Sequence, residues 1–143
     1  LLRECSSSPV LDLNALLDAV IFNALIGNHD AHGKNFSLIY SGGKTRMAPL
    51  YDLLCTTFYP ELSTKMAMKV GGEYDSRKLT GANWERMAEE SGLNKLMVKR
   101  RVLEMAEQIR QKLPDATIAH LTAEGVSKII QRSCESASKR FRL

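Results

Sequence analysis

Residues 27–35 read Gly27-Asn28-His29-Asp30-Ala31-His32-Gly33-Lys34-Asn35, which puts four kinds of chemistry, amide, imidazole, carboxylate and ammonium, into one short loop. The flanking segments say how such a loop is held. Upstream, apolar residues recur at Leu13, Leu16, Leu17, Val20, Ile21, Ala24 and Leu25, the three-and-four spacing of a helix with one buried face. Pro9 or Asp12 suits its start, and Gly27 its stop. Downstream, residues 36–40 and 45–48 flank Ser41-Gly42-Gly43-Lys44 and read as a short β-hairpin with a glycine turn, ended by Pro49. The polar loop is thus expected at the C-terminal end of a buried helix. A bent ribbon then returns the chain to Leu50-Tyr51-Asp52-Leu53-Leu54.

Beyond a turn around Pro60, residues 65–70 read as one more strand before Gly71-Gly72, and the rest is helical. A short helix is expected over 84–91 and a long one over 93–113. The long one has Leu96, Val102, Leu103, Ala106 and Ile109 facing inward and Pro114 closing it. A final helix is expected from about Thr122, with Gly125 in its first turns, towards Arg140. The fold class is α+β, predominantly helical, with one small hairpin in a single domain over 1–143.

A chain of 143 residues, 44% hydrophobic and 25% charged, has enough apolar side chain for one core. It opens on Leu1-Leu2-Arg3-Glu4 without an initiator Met or a leader, so a piece of a longer polypeptide is expected. The apolar run over 16–26 is broken by Asp18 and Asn23 and is too short to cross a bilayer, so no membrane role is expected. Cys5, Cys55 and Cys134 are odd in number and far apart, which argues against a disulfide framework and suits a reducing cytoplasm. The net charge of +4 allows phosphate-rich partners without demanding them.

Two chemistries compete for the loop. Gly27-Asn28-His29-Asp30 is similar to a loop of two-metal phosphoesterases, but that chemistry needs several more carboxylate and histidine ligands. Residues 1–26 hold no Asp-x-His or Gly-Asp-x-x-Asp, and only His32 and His120 remain. Phosphoryl transfer from a nucleotide asks for less: an aspartate to orient the attacking hydroxyl, an asparagine on the same loop to hold Mg²⁺, and a second aspartate bridging metal and phosphates. Asp30, Asn35 and Asp52 occur in that order, and Asp30 to Asn35 has the Asp-x-x-x-x-Asn interval of a kinase catalytic loop. Lys34 would place a point charge beside the transferring group.

Residues 27–37, ending Asn35-Phe36-Ser37, resemble the catalytic loop of the HipA family of serine/threonine kinases, toxins of bacterial toxin–antitoxin modules. Ala48-Pro49-Leu50-Tyr51-Asp52-Leu53 is similar to that family's metal loop, and Lys65-Met66-Ala67-Met68 to the stretch after it. The resemblance implies a protein-kinase-like C-lobe in which Asp30 is the catalytic base and Asn35 and Asp52 hold Mg²⁺. It also implies that ATP is bordered by His32, Lys34 and Asn35 on one side and by Tyr51 and Asp52 on the other. A protein substrate, an antitoxin partner that binds DNA, and only weak or indirect DNA contact follow in the same way. The glycine loop and ATP-positioning lysine of an N-lobe are not in these residues, so this chain alone is expected to be catalytically incompetent. The alternative is a non-catalytic, kinase-shaped module that binds an antitoxin or its DNA complex.

Other residues read as structural. His32 suits a loop-stabilising imidazole donating to a carbonyl, and Cys55 a small apolar filler. Trp84, Met87 and Met97 suit packing. Lys95, Lys99, Arg100, Arg101, Arg110 and Lys112 along the long helix suit a solvated face, since Glu104 and Glu107 interrupt them.

Overall fold

The computed structural model describes residues 1–118 and 123–141, so Thr122 and His120 lie outside the described residues. A short helix α1 (Leu2–Cys5) leads into α2 (Pro9–Ile26). Pro9 sits at the start of α2, where its fixed φ suits the first turn and its missing N–H costs nothing. Gly27 ends the helix in the left-handed conformation, φ 74°, with its N–H donating to the Asn23 carbonyl. Leu17, Ile21, Ala24 and Leu25 are buried on one face, as their spacing requires. By length and composition α2 would also pass as a membrane-crossing helix, contrary to the shorter run read from the sequence. It is instead the central core helix, packed on the last two helices and carrying buried Asp12 and Asn23.

The hairpin pairs β1 (Leu38–Ser41) with β2 (Lys44–Met47), Ser41 opposite Lys44 and Leu38 opposite Met47. Gly42 and Gly43 have φ of 56° and 72°, the paired positive values of a type I′ turn, which matches the twist of the strands it joins. An Ala48 N–H to Ser37 carbonyl bond of 2.9 Å carries the pairing one step towards the base.

Asp12 fastens this ribbon to α2. Its carboxylate is 2% exposed and accepts from Ser6 Oγ at 2.6 Å, Arg46 Nε at 3.0 Å and the Met47 N–H at 3.0 Å. The Arg46 bond first, and the Ser6 bond second, pull its pKa down from 3.8 to about 2. A carboxyl whose folded pKa is depressed stabilises the fold above its unfolded value and loses that contribution as pH falls through the folded one. Stability should therefore decline between about pH 4 and pH 2. Urea midpoints across that window should fall less steeply in Asp12→Asn than in the parent chain; parallel slopes would remove Asp12 from the explanation.

Residues 65–70 are not a strand. Met66 and Val70 are buried, four residues apart, with exposed residues between them, and no alternation or partner ladder exists. The segment is held by single bonds, Met66 N–H to the Tyr74 carbonyl at 2.7 Å and Ala67 N–H to the His29 carbonyl at 2.7 Å, and by a lone bridge between Val70 and Glu73.

The remainder is helical: α3 (Gly81–Glu90), α4 (Lys95–Ile118) and α5 (Ala123–Arg140). Trp84 and Ala88 of α3 are buried, and Met87 and Met97 pack against the core as expected. In α4 the inward line is Val98, Val102 and Ala106, all fully buried, with Leu103 and Ile109 flanking it. Leu96 is 77% exposed, not inward. It stands two residues, about 200° of helical turn, from Val98. Pro114 does not close α4, which runs on to Ile118. The first glycine after Pro114 is Gly125, already inside α5, so none stands next to Pro114 to supply a left-handed cap. Ile130, Cys134 and Phe141 bury the inner side of α5 and its end against this core.

Candidate functional site

The site is built on the end of α2. The Gly27 carbonyl accepts from the Thr57 N–H at 3.1 Å, Thr57 Oγ1 at 2.8 Å and Thr56 Oγ1 at 3.1 Å. Thr56 Oγ1 in turn accepts from the His29 N–H at 2.8 Å. Two threonines just after the Asp52 segment thereby clamp the start of the loop that carries Asp30 and Asn35. His29 is buried and turned away from solvent, with Nδ1 at 3.2 Å from the Ser63 carbonyl and Nε2 at 2.8 Å from Ser76 Oγ. Because a carbonyl only accepts, Nδ1 carries the proton and Nε2 takes one from Ser76. Both ring nitrogens are committed, so His29 has no lone pair for a metal; its role is to pin residues 63–76 behind the loop.

Asn28 is the keystone that the sequence reading missed. It is 4% exposed, and its Nδ2 donates to the Asp52 carbonyl at 2.9 Å and to Asn23 Oδ1 at 2.9 Å. Its Oδ1 accepts from the Asp30 N–H at 3.2 Å. One amide therefore holds the backbone of the expected base and that of the expected metal ligand at once. The available signal was Asn23, a polar break inside an apolar helix face. Asn28→Asp should be worse than Asn28→Ala. The added carboxylate still accepts from Asp30 but turns an acceptor towards the Asp52 carbonyl and Asn23 Oδ1. Each buried group left unpaired costs about 1–3 kcal/mol, so urea unfolding should show both variants destabilised, the acid more. Equal midpoints for parent and Asn28→Asp would refute this role.

Asn35 and Asp52 are brought together: Asn35 Nδ2 donates to Asp52 Oδ2 at 2.6 Å across 17 residues of sequence. Asp52 has φ 58°, and it is the one non-glycine residue with positive φ among the described residues. Backbone strain of this kind, about 1–3 kcal/mol, persists only where neighbours over-determine it, and here Asn28 and Asn35 do so. Tyr51 OH donates to the Lys34 carbonyl at 2.8 Å and lies 3.0 Å from Ser37 Oγ, tying the two arms of the hairpin at their base. Asn35 Oδ1 accepts from the His32 N–H at 3.0 Å. His32 Nδ1 is buried without a hydrogen-bond partner, so the expected donation to a carbonyl does not come from that atom. Asp30 and Lys34 are exposed, and their side chains have no partner among the described residues. Asp30 reaches Asp52 only through Asn28.

This donor set fits a hard cation. Asp52 Oδ1 carries no hydrogen bond among the described residues, and Asn35 Oδ1 keeps a second lone pair. No group of three or more His, Cys, Asp or Glu side chains converges among the described residues. One carboxylate and one amide match Mg²⁺, which keeps several waters and takes phosphate oxygens, and not a metal caged by protein alone. Apolar side chains flank Asp52 along the chain. Leu50, Leu53 and Leu54 are 36%, 39% and 54% exposed, and Phe58 and Tyr59 continue this apolar rim.

The residues read as structural behave so. Burial pushes the Cys55 thiol pKa up, away from nucleophile chemistry. On α4, Lys95, Arg100, Arg101 and Arg110 are paired with Glu89, Glu104, Asp18 and Glu107, which neutralises most of the basic stripe.

Comparison with known proteins places this geometry. The family model described as HipA-like C-terminal domain matches residues 1–117. "Putative kinase Y4mE" of Sinorhizobium fredii is 40% identical over 131 residues, covering 92% of this chain and 28% of that protein. "Serine/threonine-protein kinase toxin HipA" of Shewanella oneidensis is 26% identical over 111 residues, covering 78% of this chain and 26% of that protein. The chain thus spans little more than a quarter of the length of either relative. A solved complex of Shewanella oneidensis HipA, HipB and operator DNA contains a chain that superposes with a TM-score of 0.88 at 22% identity. The superposition covers 95% of this chain and 34% of that one, and establishes the shared fold. With most of its length matched by the family and 40% identity to one relative over 131 residues, the chain belongs to the HipA-like C-terminal domain family.

Proposed function

We propose that this domain is the catalytic-loop lobe of an ATP- and Mg²⁺-dependent serine/threonine protein kinase of the toxin–antitoxin type. The observation that carries the reading is the 2.6 Å contact between Asn35 and Asp52, beside an Asp30 carboxylate that is exposed and unpaired among the described residues. An exposed, unpaired carboxylate is available to accept the proton of an incoming hydroxyl, and Asn28 keeps its backbone fixed relative to Asp52. Asn35 and Asp52 would hold the cation, which when bound neutralises charge on the nucleotide phosphates. Lys34, free on the same loop, adds a positive charge beside the transferring group. Tyr51 and His32 act by holding the loops, the first through its hydroxyl and the second through its backbone N–H.

The apolar rim around Asp52 supports a second lobe, from sequence outside these 143 residues, closing over the nucleotide. The named kinase relatives, each almost four times the matched length, are in line with that arrangement. A DNA-binding antitoxin is the partner class suggested by the Shewanella complex, and the paired charges of α4 make direct DNA contact by that helix a minor part of it. A kinase-shaped interaction module would use the same rim, but it gives no reason for the strained Asp52 or the unpaired Asp30.

The polypeptide that carries this domain should transfer label from γ-labelled ATP to protein serine or threonine with Mg²⁺, and not after chelation. Absence of transfer above the chelated control would overturn the reading. The 143-residue chain alone should gain little thermal stability from ATP and Mg²⁺, because it grips the nucleotide from one side.

A further inference from the structure

A cavity of about 250 Å³ opens between α2, α3, α5 and the turn at Ser76. Its inner wall is apolar and buried: Leu25, Leu79 and Trp84 are 3%, 7% and 2% exposed. Its outer wall is basic, formed by Arg77, Arg132 and Arg140. Two of these guanidinium groups are already engaged, Arg77 with the Asp75 carboxylate at 2.9 Å and Arg140 with the carbonyls of Arg77 and Leu79. Arg132 is exposed and has no partner among the described residues. Asp75 is the acid beside this wall, and it is consumed by Arg77 and Lys78, so the mouth of the cavity stays positive.

We propose that this cavity binds a small ligand with an apolar body and one anionic group, the body against Trp84 and the anion on Arg132. The volume admits about eight non-hydrogen atoms at roughly 30 Å³ each, the share of a water molecule in its liquid, which limits the body to a short alkyl chain or a single ring. An apolar wall with one unpaired guanidinium at the rim is the pattern of a selective pocket: burial supplies affinity and a directed fork of N–H donors selects the anion. The site is independent of the transfer chemistry yet touches its support. Ser76 and Thr57 line the cavity, and they hold His29 and the Gly27 carbonyl. An occupant beside Ser76 therefore perturbs the hydroxyl bonded to His29 Nε2, and with it the rear of the catalytic loop.

Trp84 is the single tryptophan of the chain and reports on occupancy directly. Titration of the 143-residue chain with hexyl phosphate should shift Trp84 emission saturably with one-to-one stoichiometry, and hexanol should bind about tenfold more weakly or less well still. Arg132→Gln, a surface change that leaves the circular dichroism unaltered, should bind the two alike. Ala137→Leu, which fills the cavity, should lose both. The His29 Nε2 nitrogen resonance should move with hexyl phosphate in the parent chain only. A shift that never saturates marks indiscriminate partitioning and overturns the proposal, as does an unmoved Trp84 or an Arg132→Gln variant that still prefers the phosphate.

Discussion

Asp30→Asn is expected to lower the proposed phosphoryl transfer by the polypeptide that carries this domain about 10²–10⁴-fold, the range for loss of a general base, without changing its stability. The side chain is exposed and makes no hydrogen bond or ion pair among the described residues, so an isosteric amide alters chiefly its ability to take a proton. Asp52→Asn should also remove most transfer, about 10²–10³-fold, by taking a full charge from the cation site. The two differ in what else they move. Asp52→Asn should weaken the dependence on Mg²⁺ concentration, whereas Asp30→Asn should leave that dependence intact. Residues acting as a unit are not additive, so the double variant should be scarcely worse than the poorer single one. Transfer within tenfold of the parent in either single variant would sink the assignment of that residue.

Gly27→Ala should be the most damaging single methyl group near the site. Gly27 has φ 74°, where an L-residue costs about 1–2 kcal/mol. The added Cβ would overlap Thr57 Oγ1, whose hydroxyl donates to the Gly27 carbonyl at 2.8 Å. Overpacking of that kind costs about 1–3 kcal/mol more. The sum, about 2–5 kcal/mol, is a large part of the stability of an ordinary domain. Gly42→Ala is the control: it has φ 56° but nothing near its Cβ, so only the backbone term applies. Urea denaturation should separate the two variants clearly. Matching losses would mean that the Thr57 clamp yields freely and does not anchor the loop.

What was legible in the amino-acid order is what local physics dictates. A glycine after an apolar helix face predicts a left-handed stop, and Gly42-Gly43 between short strands predicts the tight turn. Those two features bring Asp52 back to Asn35, so that pair could be found by counting. The supports were not legible, because each depends on a distant backbone group arriving at the right place. Asn28 serves the Asp52 carbonyl 24 residues away, and Thr56 serves His29 and Gly27 from 27 and 29 residues away. No period or spacing announces such a bond. The strand expected over 65–70 failed for a related reason: an alternation of Met66, Met68 and Val70 in the sequence does not supply a neighbour, and the only sheet among the described residues is the two-stranded hairpin. Leu96 failed because apolar identity was counted before phase.

The two-residue turn at Gly42-Gly43 also makes the hairpin a graduated spacer with its zero mark at the base and its free end in solvent. Lengthening it symmetrically, one residue in each arm at the tip, would push only the tip outward by about 3.3 Å. A lone insertion in one arm would turn every side chain beyond it to the other face and carry Asp52 away from Asn35. Odd and even changes in loop length are therefore unequal here, and the exposed tip is the place where a reporter sequence or crosslinker can be grafted without unsettling the Asn35–Asp52 end.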